Sequence, residues 1–187
     1  MSLASPAGAG RRPIHLRRIT CEGFERDDGL FDIDGTLIDS KPFAVALPEK
    51  KVPAEDAIHH LTLRLTIDRQ RTIREAVART LHGPYGTCGE ITASYRQLVG
   101  LRVEAGFTKT VKRMFRGTLG CSHLTELLPP MATTAFQMLW SEPDGPASSV
   151  AASGGRDESP LGGCHVLRVD GPVARLHFRH LLPESPP

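Results

Sequence analysis

Residues 58–68 read IHHLTLRLTID, and no other stretch limits so tightly what this chain can become. Leu61, Leu63, Leu65 and Ile67 lie on one side of an extended backbone, and His60, Thr62, Arg64 and Thr66 lie on the other. Period two of this kind predicts a strand with one buried and one solvated face. A second stretch repeats the pattern: Phe31, Ile33 and Leu37 alternate with Asp32, Asp34 and Thr36. Before it, HLRRITCEGF is separated by the turn signal Asp27, Asp28, Gly29, so residues 14–43 read as a hairpin.

Along the rest of the chain the signals change in kind. Residues 42–56 hold three prolines and mixed charges, which predicts a connection with little regular structure. Residues 72–81 fit a helix or a returning strand, and their position after the short turn Arg69, Gln70 selects the strand. HGPYGTCG, residues 82–89, is expected to be a loop presenting Cys88. Residues 90–99 then read as a short helix with Ile91, Tyr95, Leu98 and Val99 inward. Phe107, Val111, Met114 and Phe115 recur at helical spacing.

Residues 117–139, GTLGCSHLTELLPPMATTAFQML, form the stretch around which chemistry gathers. Gly117 and Gly120 permit a sharp turn into a helix whose first N–H groups face Cys121, a setting that favours a thiolate. Leu124, Leu128, Met131, Ala135 and Leu139 give that helix one apolar face, while Pro129 and Pro130 are expected to kink or split it. Residues 1–12 read as a disordered tail and residues 13–187 as a single domain with a low-complexity linker at 141–163. Beyond the linker, CHVLRVDGPVARLHF alternates around Asp170 and Gly171 and predicts a last hairpin.

Composition excludes several classes. With 187 residues, 40% of them hydrophobic, the chain suits one soluble domain. A net charge of +2 with scattered arginines argues against a nucleic-acid partner. No apolar run approaches a membrane span, and the first residues lack the hydrophobic core of a signal peptide, so a cytoplasmic location is expected. There the four cysteines, Cys21, Cys88, Cys121 and Cys164, would be reduced and available for ligation, catalysis or burial.

FDIDGTLIDS, residues 31–40, resembles the first motif of the haloacid dehalogenase-like phosphohydrolases. That resemblance implies Asp32 as nucleophile, Asp34 as general acid/base and Thr36 beside them, with magnesium between the carboxylates. The family places its motif after a buried parallel strand, yet here Arg26, Asp27, Asp28 and Gly29 precede only two apolar residues. No later strand ends in an acidic pair that would complete a magnesium site. Alternating carboxylates on a solvated strand face account for the string more simply.

A longer resemblance covers residues 17–178. RRITCEGFERDDGLFDIDGTLIDSKPF, IHHLTLRLTID, PYGTC, LVGLRVEAGF, GCSHLTELLPPMATTAFQ and CHVLRVDGPV together are similar to the bacterial domain-of-unknown-function family twenty-eight eighty-nine. The family has no established activity, so the resemblance implies a grouping and no mechanism. Its blocks hold thiols and imidazoles on glycine-bounded loops and a helix start, the residue types that zinc or iron requires. Cys88, Cys121, His123 and Cys164 are the candidate ligands of one tetrahedral site, with His82 and His165 as outer partners, although the spacing matches no recognised zinc-finger pattern. His59 shares the leucine face of its strand and reads as a core histidine, and Cys21 as a small core residue. A further possibility is a nucleophilic Cys121 with His123 or His165 as its base, of which the His123 version is disfavoured, since residues two apart on a helix diverge.

The expected architecture is α+β: a mainly antiparallel, hairpin-built sheet with two or three helices packed on one face. The leading functional reading is a metal-binding protein with Cys/His ligands and no commitment to catalysis. The alternatives are a magnesium phosphohydrolase using Asp32, Asp34 and Thr36, and a structural or partner-binding domain without chemistry.

Overall fold

The computed structural model of the chain describes residues 9–140 and 161–182. Most of the expected tail and linker, residues 1–8 and 141–160, lies outside the described residues. The chain falls into two compact units, Met1–Phe136 and Gln137–Pro187. Among the described residues no helix is long and apolar enough to cross a membrane.

The first unit is α+β. Strands β1 (Leu16–Glu25), β2 (Phe31–Ser40), β5 (Ala57–Ile67) and β6 (Ile73–His82) form one antiparallel sheet in the order β1-β2-β5-β6. Both expected alternations hold. Phe31, Ile33 and Leu37 of β2 and Leu61, Leu63, Leu65 and Ile67 of β5 are buried on one face. Each such side chain contributes about 1.5–3 kcal/mol by leaving water.

The two hairpin turns use different chemistry. In the first, Gly29 takes φ +78° and the Asp28 carboxylate accepts the Leu30 N–H at 3.2 Å. The second has no glycine. There the Asp68 carboxylate accepts the Thr72 N–H at 2.8 Å and is paired by Arg74, so Arg71 is held at φ +63° by its surroundings. The stretch expected to be irregular contains a small ladder of its own, β3 (Val45–Ala46) with β4 (Lys51–Val52).

A run of 3-10 turns spans Gly86–Leu98, beginning earlier than the sequence suggests and wound more tightly. With three residues per turn, Tyr95 and Leu98 share the buried side while Val99, expected inward, is 48% exposed. Helix α1 (Phe107–Met114) buries Phe107 and Val111. Helix α2 (Ser122–Trp140) is continuous through Pro129 and Pro130, not split in two. Leu124, Leu127, Leu128, Met131 and Ala135 are buried, and that apolar face offsets the backbone bonds the prolines cannot make. Over the sheet, Met131 occupies the space above Gly35, where a Cβ would stand 2.5 Å from its sulfur. The glycine of the DIDG string is thus a packing residue.

In the second unit the expected hairpin is absent. Gly171 precedes α3 (Pro172–His177), with Pro172 in the first turn. A proline there has its φ already set for a helix and needs no N–H, and this decided against a returning strand.

Candidate metal centre

The inner row of β2 runs Phe31, Ile33, Gly35, Leu37 and ends on Asp39, a carboxylate on an otherwise apolar face and 1% exposed. Pairing of β2 with β5 puts Asp39 opposite His59, next to a register shift at Asp39/Ser40. The third member comes from α2. Met131 sits over Gly35. Running eight residues back along the helix covers about 12 Å, and four residues on along the strand covers about 13 Å. His123 therefore arrives above Asp39.

The imidazoles of His59 and His123 stack with centroids 3.9 Å apart and planes at 28°. Both approach the same carboxylate oxygen: His59 Nδ1 is 3.3 Å and His123 Nε2 3.4 Å from Asp39 Oδ2. Among the described residues, Asp39, His59 and His123 are the group of three His, Cys, Asp or Glu whose ligand atoms all lie within 4.8 Å of one another. His59 Nδ1 is buried and has no hydrogen-bond partner.

Electrostatics keep this cluster charged at the carboxylate and neutral at the rings. Burial alone would raise the Asp39 pKa, but the hydrogen bonds and charge of Arg17, followed by the histidines, hold it below the usual carboxylate value. The Arg17 guanidinium grips it as a fork, Nε to Oδ1 at 2.7 Å and Nη2 to Oδ2 at 2.8 Å, and His15 Nε2 lies 3.2 Å from Oδ1. Burial lowers the pKa of His59, helped by His123, and burial likewise lowers that of His123 against the pull of Asp39. A neutral imidazole keeps the lone pair a metal needs.

A cavity of about 360 Å³ opens beside the cluster, lined by His59, His82, Cys88, Cys121 and His123 among others. Four residues singled out from the sequence thus border one space: Cys88, Cys121 and His123 as ligands and His82 as an outer partner. Cys121 stands just before α2. Its backbone N–H is accepted by the Tyr95 hydroxyl at 3.0 Å, and that hydroxyl donates to the Cys121 carbonyl at 2.8 Å. Its sulfur lies 4.0 Å from His123 Nδ1, so the two side chains do not diverge as helical spacing suggested. The reason is local: Cys121 precedes the first helical residue. Cys164 and His165 belong to the second unit, where Cys164 is exposed and His165 lies against Arg168.

The phosphatase-like residues occupy the opposite face of the sheet. Asp34 is held in a bidentate pair by Arg64, with both contacts at 2.6 Å, and Asp32 accepts from Thr66 at 2.6 Å. They sit on an antiparallel strand between β1 and β5, with their carboxylates engaged by neighbouring strands. Two members of the buried cluster escaped sequence reasoning. Asp39 was legible as a charge on the apolar parity of β2, whereas only the β2–β5 register, a tertiary fact, sets His59 against it.

The sequence model of a family described as "Protein of unknown function (DUF2889)" matches residues 15–137, and the chain belongs to that family. The match covers all the residues of the buried cluster. No curated protein and no solved structure matches the chain.

Proposed function

We propose that this DUF2889 protein binds a divalent transition metal, zinc or iron(II), through Asp39, His59 and His123, with Cys121 beside the site. The observation that carries this reading is the buried His59 Nδ1, which lacks a hydrogen-bond partner although it lies within 3.3 Å of the carboxylate oxygen that His123 also approaches. A buried ring nitrogen without a partner is costly in a purely structural cluster, and ligation would satisfy it. The separations of 3.3 and 3.4 Å from each ring to Asp39 Oδ2 match the roughly 3.3 Å edge of a tetrahedron with bonds of about 2.0–2.1 Å.

Three protein ligands would leave a fourth position open, the pattern of a site that admits water or substrate, and His59 and His123 also line the neighbouring cavity. Arg17 and His15 act as outer partners that orient the carboxylate. The two nitrogens of an imidazole point away from each other, so a metal on His123 Nε2 leaves Cys121 at Nδ1 as an outer partner. The thiolate set of Cys88, Cys121, His123 and Cys164 would instead use Nδ1. Metal content of the purified protein and zinc titration of variants separate the two. Loss of binding in His59→Ala and its retention in Cys121→Ser is expected. Retention in His59→Ala with loss in Cys121→Ser would transfer the site to the thiols.

A second reading rests on the same imidazole. Cys121 Sγ lies 4.0 Å from Nδ1 of His123, and the Asp39 carboxylate lies 3.4 Å from its Nε2. In acyl transfer His123 would take the thiol proton on Nδ1 while Asp39 held Nε2–H and steadied the imidazolium. Both readings need Nε2, so they exclude each other. Alkylation of Cys121 that slows markedly in His123→Ala, in metal-free protein, favours the thiol. An unchanged rate removes it.

A further inference from the structure

We propose that β1 is a dimer interface, pairing antiparallel with β1 of a second copy about a two-fold axis through Thr20. The strand is an edge ten residues long and bonded only to β2, with every residue exposed except Cys21. Such an edge offers a row of open backbone donors and acceptors. At the other edge Ile73 of β6 exchanges backbone bonds with Gly100 and Leu101, so that side is partly covered. Among the described residues no comparable segment covers β1.

The side chains select the occupant and the register. An axis normal to the sheet keeps both cores on one side and pairs residues of like parity. Centred on Thr20, it puts Arg18 opposite Glu22 twice and Leu16 opposite Phe24 twice, with Ile19 opposite Cys21 on the inner face. Leu16, Ile19 and Phe24 are 42%, 39% and 47% exposed, and this pairing covers all three. Moving the axis to Cys21 sets Arg18 against Phe24 and Thr20 against Glu22. Moving it to Ile19 sets Leu16 against Glu22.

Glu22 supplies a further reason. Within one copy it faces Asp34 across the ladder, a like-charge pair, and Asp34 is already committed to Arg64. Neither Arg18 nor Glu22 makes an ion pair among the described residues, and the second copy gives each one. The joined sheets form a single eight-stranded layer, and the charges that would repel an arbitrary strand fit this one. Such a dimer forms with or without metal.

Sedimentation equilibrium of the full chain tests it, with an expected mass twice the 20.3 kDa of one copy. Arg18→Glu and Glu22→Arg each weaken the dimer by roughly tenfold, because each variant sets like charges together at two symmetric places. The double variant restores it. Thr20→Cys forms an interchain disulfide between the two introduced cysteines under mild oxidation, located by peptide mass spectrometry. A monomer at all concentrations, a dimer indifferent to both reversals, or a native interchain link through Cys21 in place of one through residue 20 overturns the proposal. The crosslink remains decisive if a charge reversal fails to fold.

Discussion

Replacing Arg17 by methionine tests both the electrostatics of the buried carboxylate and the metal reading. Methionine keeps much of the aliphatic stem and deletes the fork that grips Asp39 at 2.7 and 2.8 Å. Two charge-assisted bonds are worth about 1.5–3 kcal/mol each, or roughly 3–6 kcal/mol together. The Arg17 side chain is 41% exposed while that of Asp39 is 2% exposed, so solvent screens one end of the pair and the expected loss falls to about 2–4 kcal/mol. Urea denaturation without metal measures it. The pH dependence has a definite sign. The folded pKa of Asp39 is depressed, so its contribution is full above the unfolded value of about 3.9 and is lost as pH falls through the lower folded value. The gap between wild type and variant is therefore wide near neutrality and closes in acid. Zinc placed at the same carboxylate replaces the missing positive charge, so saturating zinc narrows the gap at neutral pH. A metal-free loss below about 1 kcal/mol would refute the claim that Arg17 holds this carboxylate. A gap that zinc leaves unchanged would count against ligation by Asp39.

Two further substitutions probe how the cluster is positioned. Tyr95→Phe removes a fully buried hydroxyl that accepts the Cys121 N–H and also bonds the Thr125 hydroxyl at 2.8 Å. Two orphaned groups cost about 2–4 kcal/mol, read from the urea midpoint, and a change within error would show that water replaces the hydroxyl. Gly120→Ala drives a Cβ to 2.5 Å from Phe115 Cβ and 2.8 Å from its carbonyl oxygen, where backbone cannot give way cheaply. A loss of about 1–3 kcal/mol in thermal unfolding is expected, and an unshifted Tm contradicts the close approach.

Much of the fold could be read along the chain because the relevant forces act locally. Alternation in residues 58–68 reports one buried face, and Asp28 with Gly29 reports a tight turn, each without reference to distant residues. The apolar spacing of α2 likewise survives two prolines. Reading failed where two local signals competed. In residues 164–178 alternation argued for strands, whereas Gly171 followed by Pro172 opened a helix. In residues 86–98 a tighter winding turned Val99 outward.

The site divides the same way. That thiols and imidazoles gather near the start of α2 was visible in the residues themselves, and Cys88, Cys121, His123 and His82 do border one cavity. That Asp39 and His59 join His123 was not, because their meeting depends on two distant fits. One is the β2–β5 register, and the other is the docking of Met131 over Gly35, which slides His123 to the far end of β2. Sequence alone settled the periodicities, since those follow from bonds and solvation within a few residues. Tertiary packing alone settled which buried polar groups share a pocket, because that choice belongs to the shapes of surfaces that meet only when the chain is folded.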